Sequence, residues 1–146
     1  MGKAMIIISP YAQKLPNGQE NPKNYPYWKE LLQLITEPVI QIGVEGEAQL
    51  VDDFRKNLPF SELTKLVNEC RTWIAVDSFF QHFCWDLSKP GIVLFSQSDP
   101  NIFGHKENIN ILKDRKYLRQ NQFLLWTQTN YDIDAYVPPQ EVFQKL

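Results

Sequence analysis

The segment with the most chemical character is Asp77-Ser78-Phe79-Phe80-Gln81-His82, which follows an apolar run and opens a helix. The first amides of a helix lack internal partners and carry partial positive charge, so they attract phosphate. Asp77 or Ser78 is a candidate cap, and His82, about one turn further in, is placed to face a bound phosphate. The same spacing also fits a capped helix with a buried histidine satisfied by a neighbour. Lys23 lies in Asn21-Pro22-Lys23-Asn24-Tyr25-Pro26, just before an earlier helix. There it is either a point charge for a diphosphate or an ordinary loop lysine.

Two more constellations deserve the same double reading. Glu45-Gly46-Glu47 follows a short apolar run, and a carboxylate at such a strand end can accept hydrogen bonds from ribose hydroxyls. Both glutamates fit equally well as solvated loop charges. Gln97-Ser98-Asp99-Pro100 leads to Phe103-Gly104-His105, a loop type that contacts a nucleotide or its sugar, or a turn in which Asp99-Pro100 sets local geometry. The Gly-x-Gly-x-x-Gly fingerprint is absent, as are a Walker loop, an ordered Ser-His-Asp set and a metal-ligand cluster. No metal is expected, and no catalytic residue is assigned.

These residues need elements to hold them. Met5–Ser9, Val39–Gly43, Trp73–Val76 and Ile92–Phe95 are short, continuous apolar runs that read as buried strands. Helical periodicity appears in Tyr27, Trp28, Leu31, Leu32, Leu34 and Ile35, in the stretch from Ser61 through Leu63, Leu66 and Val67, and from Ser78 to Leu87. A short strand is expected over Ile109–Leu112, an apolar patch over 123–126, and a final helix opened by Pro138-Pro139 and ending at Leu146. Asp52–Asn57 is polar and basic-flanked. The alternation predicts an α/β fold, a Rossmann-like parallel sheet with helices on both faces. Ligands of such sheets sit outside the carboxyl ends of the strands, where the loops after Ser9, Gly43, Val76 and Phe95 fall.

A chain of 146 residues with 43% hydrophobic residues supports one packed domain over 1–146. Its net charge of −2 gives no basic surface for nucleic acid, so any phosphate recognition must be local. Cys70 and Cys84 make neither a disulfide framework nor a zinc site and read as reduced core residues. The apolar run Met5-Ile6-Ile7-Ile8 is too short for a signal core or a membrane span, so no transmembrane segment and a cytoplasmic location are expected.

Read in order, these pieces resemble the heptosyltransferase family (glycosyltransferase family 9). The run from Asn21 to Leu32 resembles the entrance to its donor domain; Gln41-Ile42-Gly43, Asp53–Leu58 and Ser61-Glu62-Leu63 resemble its next strand and helix. Asp77-Ser78 with His82 is similar to the family's Asp-Ser/Thr-Gly-x-x-His motif, and Pro90–Phe95 with Ser98-Asp99-Pro100 to the strand and turn after it. The resemblance implies the C-terminal half of a GT-B glycosyltransferase, binding a nucleotide-sugar, with an ADP-sugar favoured, and requiring no metal. It implies that Lys23 and the amides around Ser78 face the diphosphate, that Asp77 and His82 shape that site, that Ser98 belongs to the donor loop, and that Glu45 or Glu47 meets the ribose. Inverting transfer would follow, with Lys23 and the helix dipole stabilising the departing charge.

Two departures qualify the resemblance. Phe79 stands where the motif has glycine, and a side chain there threatens the close backbone approach of a diphosphate. The family's N-terminal acceptor half has no counterpart, so the expected partner is a separate acceptor subunit or a second copy. Alternatives are a non-catalytic nucleotide-binding or sensing module, and an interaction scaffold anchored by Trp28, Trp73, Trp85 or Trp126.

Overall fold

A computed structural model describes residues 5–146; residues 1–4, part of the expected domain, lie outside the described residues. Six parallel strands form one sheet: β1 (Ile6–Ser9), β2 (Val39–Gly43), β3 (Phe54–Lys56), β4 (Thr72–Val76), β5 (Ile92–Phe95) and β6 (Ile109–Leu112). The strand order is β3-β2-β1-β4-β5-β6. The chain builds outward from β1 in one direction, then returns to build outward in the other. A topological switch point therefore lies between β1 and β4.

The helices are α1 (Trp28–Leu34), α2 (Phe60–Glu69), α3 (Phe79–Asp86), the single turn α4 (Pro100–Phe103) and α5 (Pro139–Phe143). Strand alternation divides the core between two faces. Ile6, Ile8, Ile74, Val76, Ile92 and Leu94 pack with Trp28 and Leu31 of α1 and Val142 of α5. Ile7, Trp73, Ala75, Val93 and Phe95 pack with Leu63 and Val67 of α2 and with Phe80 and Cys84 of α3. Both faces of the sheet are thus covered, as the apolar strands require. Each isoleucine buried in full contributes roughly 1.5–3 kcal/mol. Cys70 and Cys84 are free thiols in the second core, and burial pushes both upward in pKa.

The expected helices are present with shifted ends. α2 begins at Phe60, one residue earlier, with Ser61 in its first turn, and α5 stops at Phe143, short of Leu146. The strand β3 lies within the polar stretch 52–57, for which the sequence gives no strand signal. Residues 113–137 form no strand or α-helix; three single 3-10 turns carry them back across the carboxyl edge. Among the described residues, no helix is long and apolar enough to cross a membrane.

Candidate functional site

A cleft of about 880 Å³ opens at the carboxyl edge of the sheet, lined by residues that follow β1, β2, β3 and β4. Its volume lies within the roughly 300–1,000 Å³ common to small-molecule sites. Ser9, Lys23, Asp77 and Ser78 place it at the switch point; Gly43, Glu47 and Asn57 carry it toward the β2–β3 edge.

Lys23 is held by its neighbours. Its backbone N–H donates to Asn21 Oδ1 at 3.0 Å, and buried Asn21 donates in turn to the Gln13 carbonyl at 2.9 Å. The Ala12 N–H donates to Asn24 Oδ1, closing the loop across twelve residues. The tail and the residue after β5 secure it from outside: Tyr131 donates to the Asn24 carbonyl, Ser96 and Tyr136 donate to the Pro22 carbonyl, and Tyr25 donates to that of Val137. The long β1–α1 connection is therefore an ordered structure.

Lys23 Nζ lies 3.5 Å from Asp77 Oδ2 and 5.0 Å from the centre of the Trp126 ring. The Asp77 carboxylate is buried, but its negative charge is well supported. Gln81 Nε2 donates to Oδ1 at 2.6 Å and Ser98 Oγ donates to Oδ2 at 2.9 Å. Asp77 thus caps no helix; it holds a lysine. Ser78 occupies the N-cap position of α3, yet its hydroxyl donates to the Val76 carbonyl and makes no cap hydrogen bond. The first-turn amides of α3 have no side-chain acceptor, which leaves them for an anion.

His82 lines the same cleft, and its Nδ1 is 2.8 Å from Nε2 of His105. The His105 ring lies nearly parallel to Trp85, with centroids 4.7 Å apart. His82 is neither a buried structural histidine nor an isolated phosphate ligand; it belongs to an exposed pair. Partial withdrawal from water, His105 and Lys23 lower its pKa, with Asp77 acting in the opposite direction.

The two glutamates separate. Glu45 is exposed and pairs with Lys56 at 3.0 Å. Glu47 lines the cleft, and its Oε1 accepts from the Val44 N–H at 3.1 Å. Gly46, at φ +91°, makes the turn that sends them in opposite directions. Burial raises the Glu47 pKa, while the Val44 N–H and Lys14 act against that rise. Gln41, fully buried on β2, fixes this loop by donating to the Ala48 carbonyl and accepting from the Leu50 N–H.

Lys23, Asp77 and Ser98 are therefore brought together, with Ser78, His82 and Glu47 on the same cleft and Glu45 pointing elsewhere. Ser98 is buried and acts through Asp77. Asp99 caps α4 by accepting from the Asn101 N–H and pairs with Arg115, so its part in the loop is structural. Trp126 lines the cleft with Arg119 packed on its ring at 3.4 Å, a contribution that its sequence surroundings do not announce. Trp28 and Trp73 are core residues, whereas Trp85 is exposed. Among the described residues, no group of three or more His, Cys, Asp or Glu side chains is arranged to hold a metal ion.

Compared with models of protein families, with curated proteins and with solved structures, the chain matches none. The functional reading therefore rests on the cleft itself.

Proposed function

We propose that the cleft binds the diphosphate of a nucleotide-sugar, an ADP-sugar by preference, and that the chain is the donor-binding half of a glycosyl-transfer site. The acceptor half would come from a separate subunit or a second copy. The observation that carries this reading is the position of Lys23. Its ammonium is tethered to buried Asp77 beside the uncapped start of α3, in the cleft at the switch point. A diphosphate there would gain a cation and oriented amides, and both would stabilise the charge that develops as the nucleotide departs.

One observation favours binding without transfer by this chain alone. Asp77, the carboxylate beside Lys23, is already engaged by Gln81, Ser98 and Lys23, which leaves it ill-suited to accept a proton from an attacking hydroxyl. A nucleotide-binding or sensing module is the second reading.

Thermal-shift and calorimetric titrations with ADP, UDP, GDP, CDP and their sugars test the proposal. A ligand at a hundred times its Kd adds about 2.7 kcal/mol of stability, a rise of several degrees in Tm. Lys23→Ala should abolish most of that rise. No response to any diphosphate, or an undiminished response in Lys23→Ala, sinks the assignment. Transfer that appears only when an acceptor subunit is added separates the first reading from the second.

A further inference from the structure

Phe60 is the first residue of α2 and Phe79 the first of α3, and both line the cleft. Their ring centroids are 5.9 Å apart at 23° between planes, and Phe83 lies 5.6 Å from one and 5.8 Å from the other. Phe83 stacks in turn on buried Phe80, which meets Trp73 edge-on in the core. The outer pair is thus firmly backed, yet Phe60 is 65% and Phe79 58% exposed. Grouped exposed aromatic surface of this kind marks a binding site more often than a lone exposed side chain does.

The lining of the cleft indicates what fits. Lys23 and Asp77 lie at the switch point, Phe79 follows Asp77 by two residues, and Phe60, at the start of the helix that follows β3, extends the aromatic surface from there. A cation and an exposed aromatic surface in one cleft complement a molecule that carries both an anionic group and a planar ring. A nucleoside diphosphate has that form. We propose that Phe60 and Phe79 are a stacking plate for the nucleobase, and that Phe79 is a specificity-determining residue rather than an obstruction. This rests on the nucleotide reading above. Aromatic stacking is tolerant of base identity, since every base has a π-face, so the plate selects nucleotides over bare phosphates rather than one base over another.

Calorimetry with ADP and with inorganic pyrophosphate, on the full chain and on Phe79→Ala, Phe60→Ala and Phe79→Tyr, tests the plate. Both sites are exposed, and two independent alanine variants guard against a failure of either to fold. Each alanine should weaken ADP by about 5- to 150-fold, the range of aromatic–base stacking. Phe79→Tyr should keep wild-type affinity, and pyrophosphate should bind all four proteins alike. ADP bound equally or more tightly by Phe79→Ala overturns the proposal, as does a parallel loss of pyrophosphate. If the wild-type protein binds pyrophosphate but ADP no more tightly, the plate falls while the phosphate site stands. If it binds neither, the nucleotide reading fails and the plate with it.

Discussion

Lys23 Nζ faces Asp77 Oδ2 at 3.5 Å, and Asp77 faces it with a carboxylate that Gln81 and Ser98 already hold in place. The order of support runs from the core outward, with buried amide and hydroxyl fixing the carboxylate, and the carboxylate fixing the lysine. Asp77→Ala should therefore damage the fold as well as the site. It leaves the Gln81 amide unpaired inside the protein, for a loss of about 2–4 kcal/mol and a fall in Tm on the order of 10 °C. Lys56→Ala, which removes the exposed pair with Glu45, should change stability by less than about 0.5 kcal/mol. Paired thermal melts of the two variants measure the difference, and equal melts would remove Asp77 as the anchor.

Gly91 is required for packing. A Cβ there would lie 2.2 Å from Cε2 and 2.3 Å from Cδ2 of Trp73. That indole is fully buried and donates to the Lys89 carbonyl, so it has little freedom to retreat. Gly91→Ala should destabilise the protein by about 1–3 kcal/mol. Urea unfolding should show a lower midpoint with an unchanged slope. A variant as stable as the parent would mean that Trp73 shifts without loss.

Most of the sheet can be read directly in the chain because β1, β2, β4 and β5 are buried on both faces and are largely apolar, with Gln41 the buried polar residue of β2. The edge strand β3 is different. Its Phe54-Arg55-Lys56 pairs only with β2, and its two basic residues remain exposed, so no apolar run betrays it. Lys23 and the start of α3 are likewise legible, since local chain order alone puts them on the ligand edge. Trp126 is not, because it reaches Lys23 only when residues 113–137 fold back over that edge. The pairing of His82 with His105 is equally hidden, for it joins α3 to the loop after α4 through side chains with no fixed spacing. A positive-φ glycine, Gly46, separates Glu45 from Glu47, a conformation that composition permits and does not require.

His82 gives the protein a pH dependence of definite sign. Its pKa is lowered in the folded state by burial, by His105 and by Lys23, while the unfolded chain titrates near about 6.5. Between those values the unfolded state binds more protons, so falling pH favours unfolding. The contribution of His82 to stability should be level above about pH 6.5 and decline below it until its folded-state pKa is reached. His82→Gln should flatten this decline in Tm measured from about pH 8 to 5. An unchanged decline would place its origin in other groups.

The two glutamates of the β2–β3 connection make opposite predictions for binding. Glu47 lines the cleft with its carboxylate on the Val44 N–H, whereas Glu45 is exposed and tied to Lys56. If a ribose lies between the phosphate end and the aromatic rings, its hydroxyls donate to Glu47, and each bond to a charged acceptor is worth about 1.5–3 kcal/mol. Glu47→Gln keeps the shape of the side chain but weakens the acceptor, so ADP affinity should fall about tenfold while pyrophosphate is unaffected. Glu45→Gln should leave both ligands bound as before. Loss of ADP affinity in Glu45→Gln and not in Glu47→Gln would require the ribose to lie on the outer side of this loop, where the cleft does not reach.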